Sequence, residues 1–425
     1  MSGPRGWQLM TYLVLRRALE PLMYLILQRR LSAGKEDPAR VYEKLGRTTQ
    51  VRPNGTVVWL HAVGLGEVLA LRPLIKLMQE SSPELSFVVT STARSSANVM
   101  AKNLPARCVH QFLPLDGPTF VSNFLNHWRP NLAIWSEQDL WPGAIHDCAA
   151  RGIPLAHVNA RMNDESHRRK ARFSGLYRDT FACFSLVAAQ DSQTADNLRE
   201  MGVKAPVVTG SLKPAAAPLA VDTVALERFT EALADRRIWV AASTHLADEN
   251  VAFAAQKILA ADDPSWLLVV APRFPERRAE VASALQRAGL THATRSQNEH
   301  PNSTQDVWLA DSFGELGLWY RLGKSAFIGG SFAGLGGHNP WEAICLSCPV
   351  FHGPDIQNFA ADYAELDRLS LSHQVQDDPS NAEDLAREVQ CASVIKDQAR
   401  TAVKKARENL KPLVNTLTDL IKATP

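Results

Sequence analysis

The sequence predicts an α/β protein made of two doubly wound, parallel-sheet domains. Three observations predict it. Short apolar runs alternate with helical patterns along most of the 425 residues. The series breaks at the proline- and alanine-rich stretch Pro214-Ala215-Ala216-Ala217-Pro218 and then restarts. The composition, 45% hydrophobic and 21% charged, is that of an ordinary globular chain, long enough for two separate cores. Strands that alternate with helices build parallel sheets covered on both faces. The expected organisation is an N-terminal arm over 1–34, a Rossmann-like domain over 35–213, a linker over 214–224 and a second Rossmann-like domain over 225–425. The pattern leaves open whether the last helical stretch, Ser393 to Ile421, crosses back onto the first domain.

The arm is basic and apolar. Residues 1–50 hold nine Lys or Arg against four Asp or Glu, and the remainder holds 37 against 40, so the net charge of +2 comes from the N-terminus. A surplus confined there argues against a nucleic-acid partner and suits attraction to anionic lipid. Leu9 to Leu31 is interrupted by Arg16, Arg17, Glu20 and Pro21, so neither half reaches the roughly 20 apolar residues of an independent span. It lacks a small-residue cleavage site. The pattern reads as an interfacial helix, with Leu13, Leu22, Leu25 and Ile26 toward acyl chains and Arg16, Arg17, Arg29 and Arg30 toward headgroup phosphates. A helix packed on the protein's own surface fits the same residues. Arginines on both flanks point to the cytoplasmic leaflet.

Asp37-Pro38 caps a short helix that contains Tyr42 and Leu45 and closes at Gly46. Val57 to Leu60 is then a strand ending at His61, Gly64-Leu65-Gly66-Glu67 a turn, and Val68, Leu71, Leu74, Ile75 and Met78 one face of a helix. Leu85 to Val89, Leu132 to Trp135 and Ile153 to Val158 are further strands, with a helix over Asn98 to Asn103. The second series holds strands at Trp239–Ala242, Trp266–Ala271, Val307–Leu309, Ala326–Ile328 and Pro349–Phe351, each followed by polar or glycine-rich turn chemistry. Of the six cysteines only Cys345 and Cys348 form a C-x-x-C pair. A zinc ribbon needs a second pair, so they read as buried free thiols in a reducing compartment.

The segment richest in chemistry is Gly329-Gly330-Ser331, followed by Gly336-Gly337-His338-Asn339-Pro340-Trp341-Glu342. It follows an apolar strand and leads into a helix, so its backbone N–H groups suit an anion. Glu342, one turn in, suits two ribose hydroxyls. A glycine turn needed only for strand-to-helix packing is the plainer account. No Asp-x-Asp occurs anywhere, so the carboxylate pair that bridges a metal to a sugar diphosphate is missing.

The motifs His61-Ala62-Val63-Gly64-Leu65-Gly66-Glu67, Leu113-Pro114-Leu115-Asp116, Glu137-Gln138-Asp139-Leu140-Trp141-Pro142, Asn159-Ala160-Arg161, Gly210-Ser211-Leu212-Lys213, Ser243-Thr244-His245, Pro272-Arg273-Phe274-Pro275-Glu276-Arg277, Gly314-Glu315-Leu316 and the glycine loop occur in one order. In that order the chain resembles the bacterial 3-deoxy-D-manno-octulosonic acid (Kdo) transferases, from Gly34-Lys35 to Asn358-Phe359. The resemblance implies a GT-B glycosyltransferase at the cytoplasmic face of the inner membrane. It implies inverting, metal-independent transfer of Kdo from CMP-Kdo to a lipid A precursor (lipid IVA) in lipopolysaccharide core synthesis, with no cofactor. It assigns the proton acceptor to Glu67, which also stands at a strand-to-helix turn where parallel sheets place their ligands; a first-turn Glu favoured by the helix dipole fits that position too.

Glu137 and Lys213 match positions credited with stabilising the transition state, although Glu137 also suits a structural pair with Arg161 and Lys213 a solvated linker charge. For CMP the matching positions are Pro272 and Arg273, then Phe313-Gly314-Glu315, then Asn339-Pro340-Trp341-Glu342, with Ser331 beside them. The role of His245 stays open, and His167-Arg168-Arg169-Lys170 suits either acceptor phosphates or a solvated face. The sequence departs from the family pattern at Gly64 (usually Ser), Asp139 (Glu), Ser211 (Asn) and Phe274 (His). These departures leave room for an altered donor or acceptor. A nucleotide-sugar epimerase on the same fold, or a non-catalytic glycolipid-binding paralogue, are the competing readings.

Overall fold

The computed structural model describes residues 6–92, 97, 104–332 and 334–423. The chain forms two compact units, one of Met1–Ala216 with Ala406–Pro425 and the other of Ala217–Lys405. Each contains one seven-stranded sheet.

In the first unit the strands are β1 (Val57–His61), β2 (Ser86–Ser91), β3 (Cys108–Phe112), β4 (Leu132–Ser136), β5 (Leu155–Ala160), β6 (Leu186–Ala189) and β7 (Val207–Val208). Their spatial order is β3-β2-β1-β4-β5-β6-β7 and every pairing is parallel. Strands β1, β2, β4 and β5 are buried at every position, as expected of a parallel sheet sandwiched between helices. In the second unit β8 (Arg237–Thr244), β9 (Trp266–Pro272), β10 (His292–Thr294), β11 (Val307–Leu309), β12 (Ala326–Ile328), β13 (Val350–His352) and β14 (Ser372–Gln374) take the order β10-β11-β9-β8-β12-β13-β14, again all parallel.

Both orders reverse beside the first strand of the unit. The reversal leaves a gap at the carboxyl ends of β1 and β4 in one sheet and of β8 and β12 in the other, where such sheets hold their ligands. At the second gap the backbones nearly touch. A Cβ on Gly329 would come within 2.7 Å of both Ser243 O and Thr244 Cα, so the end of β12 can lie there only without a side chain.

The strands that sequence reading located are mainly central ones. It passed over β3, β6, β7, β10 and β14. β7 is only two residues, Val207 and Val208, each about half exposed, and β14 is the polar Ser372-His373-Gln374, largely exposed, so neither gives the apolar run of a buried strand. The expected helix over 98–103 lies outside the described residues. The expected short helix after Asp37 is a 3-10 turn, Val41–Leu45, closed by Gly46 at φ 73°. The C-terminal helix Lys411–Lys422 packs on the helix Leu65–Ser81, placing Leu413, Val414 and Leu417 in the first unit's core. No disulfide joins the six cysteines, all of them among the described residues; Cys348 is buried and Cys345 half-buried.

The N-terminal helix, Trp7–Ser32, is docked on the first unit through Leu9, Arg16 and Leu27. Arg16 corrects the sequence expectation. It does not face headgroups but is buried, with Nη1 at 3.4 Å from Asp116 and Nη2 at 2.5 Å from Asp147. Tyr12 donates to the same Asp116 carboxylate at 2.5 Å, and the amide of Gly143 donates at 2.9 Å. Position 143 must be glycine for this, since a Cβ there would lie 1.7 Å from Arg16 Nη1. Arg30 pairs with Glu36 at 2.6 Å, while Arg17 and Arg29 stay exposed. The outer face carries exposed Trp7, Val14, Leu15, Leu22, Leu25 and Ile26. Among the described residues no helix is long and apolar enough to cross a membrane.

Because Arg16 neutralises two carboxylates at its docking point, Arg16→Met leaves a buried negative charge uncompensated. The variant is expected to lose about 3 kcal/mol of stability, seen as a lower urea midpoint of unfolding. An unchanged midpoint would show that the pair contributes nothing.

Candidate active site

Glu67 lies one turn into the helix Leu65–Ser81, directly after β1. Its Oε2 accepts the amides of Val63 at 2.9 Å and Gly64 at 3.3 Å, which closes the amino end of the helix. Burial raises its proton affinity and the nearby Glu137 carboxylate raises it further. The two amide bonds pull the other way, and Asp139 adds to the rise. The net result is a carboxyl group held above its ordinary value.

Glu137 leaves the end of β4 in a left-handed conformation, φ 61°, and is almost wholly buried. Its Oε1 accepts from Asn159 Nδ2 at 3.1 Å and lies 3.8 Å from Lys213 Nζ. Asn159, itself at φ 51°, also takes the Leu212 amide on Oδ1 at 3.1 Å, so one amide side chain holds both the Glu137 carboxylate and the segment bearing Lys213. Two non-glycine residues in that region at the end of a sheet mark a place where packing overrides local preference. Lys213 is therefore not the solvated linker charge that the sequence allowed; its side chain is 10% exposed.

Asp139 joins the cluster from the same loop. Burial would raise its affinity for a proton, but bonds from His61 and Trp141 outweigh this and hold it below its usual range. Trp141 Nε1 donates at 2.8 Å, and His61 Nε2 lies 3.7 Å away. In the sequence His61 and Asp139 stand out only as members of motifs; their pairing depends on β1 and β4 being neighbours, which residue order does not show. Asp116, also in a motif, belongs to the Arg16 contact instead. In the basic run, Lys170 is buried against Ser166 Oγ (3.2 Å) and the Tyr177 ring (5.6 Å), and His167 pairs with Glu200 at 3.3 Å.

In the second unit Pro272 ends β9 and Arg273 follows it, exposed, its amide donating to Thr244 O at 3.0 Å. Phe274 edges onto the His245 ring at 5.8 Å, and the Arg273 guanidinium lies 5.6 Å from the Phe274 ring. Phe313 is 68% exposed, Gly314 takes φ 87°, and Glu315 caps the helix Leu316–Leu322 while binding Arg295 at 2.8 Å and Ser312. Asn339 accepts the Trp341 amide at 3.1 Å and donates to Glu342 at 3.3 Å. Burial raises the Glu342 carboxyl above its ordinary value, against the Asn339 bond and the charge of Arg273. Pro340 is buried. The Trp341 indole is in the core, donating to Asp362 at 2.9 Å, so it offers no ring to a ligand.

The glycine loop differs from expectation in one respect. The amides of Gly330, Ser331 and Phe332 do not stand open to an anion. They donate to the carboxylate of Asp248 at 2.8, 3.3 and 3.3 Å, and Asp248 also takes the His245 amide at 2.9 Å. Its neighbour Glu249 accepts both terminal nitrogens of Arg277, at 2.8 and 2.9 Å. Sequence reading missed these two carboxylates. The available signal was a capping pattern, His245 with an acid three residues on, at the start of the helix Leu246–Asp262. Ser331 is fully buried, its hydroxyl bridging Ile328 O and the Gly353 amide at 2.8 Å each.

The comparisons agree with this organisation. A family model described as 3-deoxy-D-manno-octulosonic-acid transferase (kdotransferase) matches residues 39–216. A 3-deoxy-D-manno-octulosonic acid transferase of Rickettsia bellii is 34% identical over 81% of this chain and 82% of its own. That of Haemophilus influenzae is 33% identical over 76% and 75%. Among solved structures, UDP-GlcNAc 2-epimerase of Neisseria meningitidis, bound to UDP-GlcNAc, matches with TM-score 0.55 at 14% identity over 84% of this chain and 99% of that one. A glycosyltransferase of Rickettsia africae matches with TM-score 0.54 at 12% identity, over 87% and 100%. At such identities these structures speak to the fold alone, two parallel-sheet α/β domains of the GT-B kind. Sequence identity above 30% over most of both chains decides the rest: the chain belongs to the Kdo transferase family and is a glycosyltransferase.

Proposed function

We propose that the protein transfers Kdo from CMP-Kdo to a lipid A precursor in lipopolysaccharide core synthesis, with inversion and without a metal, at the cytoplasmic face of the inner membrane. The observation that carries the reading is the state of Glu67. A carboxylate whose proton affinity is raised by burial and by Glu137 is a better base than one in water. Inversion in one displacement needs a single base on the acceptor hydroxyl, and Glu67 takes that proton. Because the base works unprotonated, the rate falls as pH drops through the raised Glu67 value.

Kdo is a ketose whose anomeric carbon also carries a carboxylate. Its oxocarbenium-like transition state sets positive charge beside a fixed negative one, and a buried carboxylate with an ammonium at 3.8 Å, Glu137 and Lys213, can stabilise both. The donor belongs to the second unit, with Arg273 on its single phosphate, Phe313, Gly314 and Glu315 on the cytosine side, and Asn339 and Glu342 near the ribose. The absence of Asp-x-Asp from the sequence supports a metal-free leaving group. The exposed apolar row of the N-terminal helix, together with Arg17 and Arg29, supports contact with a lipid surface that supplies the acceptor.

Incubation of the protein with CMP-Kdo and tetraacylated lipid A precursor, with products read by mass, tests the proposal. Glu67→Gln is expected to lower transfer by about 10²-fold to 10⁴-fold while CMP binding stays within about twofold of the parent. A variant that turned over at the parent rate would remove Glu67 from the mechanism. Arg273→Met is expected to weaken CMP binding by about 10-fold to 100-fold, the worth of a charge-assisted hydrogen bond, as measured by calorimetry. Undiminished binding would place the phosphate elsewhere.

A further inference from the structure

The amides of Gly330, Ser331, Phe332, Gly337 and Trp341 already have acceptors inside the protein. An anion reaching the gap between β8 and β12 therefore finds few of these amides open and meets side chains. Arg273 is one. The others are His245, at the end of β8, and His338, in the loop after β12. Their Nε2 atoms are 3.2 Å apart and their rings lie nearly parallel, 18° apart with centroids at 5.4 Å.

At that distance one nitrogen must donate and the other accept, so the empty pair shares one Nε2 proton, and the lowered proton affinity of both rings favours its uncharged form. The contact is built in. A Cβ on Gly330 would stand 2.8 Å from His338 Cδ2, and Tyr363 fixes the backbone by donating to His338 O at 3.1 Å. Both rings are half-buried, so solvent and ligand reach them.

We propose that His245 and His338 form an anion subsite for the donor, taking up one proton from solvent when a phosphate or carboxylate settles against them. This rests on the reading that the second unit holds the donor. Asp248 and Glu249 face His245 from its own helix, and Arg273 and Arg277 face it from the segment after β9. Arg273 and His245 face His338. Burial first, then Arg273 and His245, hold His338 down to about 4. Burial also lowers His245, with Arg277 and Arg273 opposing the attraction of Asp248 and Glu249.

An anion on Arg273 cancels that repulsion and adds its own attraction. One imidazole then gains a proton, and both Nε2–H groups can turn to the ligand. The sign follows. Binding raises the pair's proton affinity, so affinity for the anion falls by about tenfold per pH unit as pH rises from the empty value toward the occupied one, and levels off above it.

Calorimetry of the full-length protein near pH ~6, in buffers of different ionisation enthalpy, counts the protons. Two ligands that do not titrate there separate the sources: the methyl phosphodiester of cytidine 5′-phosphate, and CMP-Kdo without acceptor. Uptake approaching one proton with both identifies the phosphate, and uptake with CMP-Kdo alone identifies the sugar carboxylate. In His338→Gln and His245→Gln the uptake is expected to vanish and the pH dependence of affinity to flatten. Binding of both ligands without proton uptake, or uptake unchanged in both variants, overturns the proposal. If neither ligand binds the parent protein, the donor reading falls and takes this inference with it.

Discussion

A negative charge kept from water beside other negative charges governs the first unit. Glu67, Glu137 and Asp139 converge where the strand order of the sheet reverses, and the protein must compensate each of them differently. Asp139 is held ionised by His61 and Trp141, Glu137 is held by Asn159 and Lys213, and Glu67 is left with two backbone amides that do not offset its burial. Environments that separate the proton affinities of neighbouring acids assign them separate tasks. In the proposed mechanism the acid with raised affinity accepts the proton, and Asp139, held below its usual range, shapes the field around it.

The second unit solves the opposite problem at the equivalent place in its sheet. Its glycine loop must approach β8 closely, and Asp248 holds it there through three amides, while Glu249 anchors Arg277 a short way beyond Arg273. The loop's shape is thereby fixed by the protein's own carboxylate. In the proposed donor site, recognition of an anion falls to Arg273 and to imidazoles whose charge can change. The N-terminal helix shows the same division of labour, with Arg16 committed inward to Asp116 and Asp147 and an apolar row left outward.

Much of this was legible in residue order. The apolar runs at β1, β4, β8, β9 and β12 and the turns after them identified two parallel sheets, because strands buried on both faces read as near-continuous apolar runs. Of the edge strands, β7 is only two residues long and β14 is polar throughout, and they escaped for those reasons. The motif order placed Glu67, Glu137 and Lys213 in one family, and the structure brings the last two within 3.8 Å. What the sequence hid were contacts made by strands adjacent in space and distant in the chain. His61 with Asp139, Asp248 with the glycine loop, and Arg16 with Asp116 all depend on which strand or helix lies beside which. Arg16 was misread because a basic residue in an apolar helix has the same pattern whether it snorkels to a headgroup or is buried on a carboxylate.

The account stands or falls on the proton affinity of one side chain. Titration of the Glu67 carboxyl carbon by nuclear magnetic resonance in protein labelled at glutamate, assigned with Glu67→Gln, reads it directly. The account predicts a midpoint above the ordinary carboxylate range, moving down when Glu137→Gln removes the neighbouring charge. A midpoint at or below that range, unmoved by the change at 137, would contradict it.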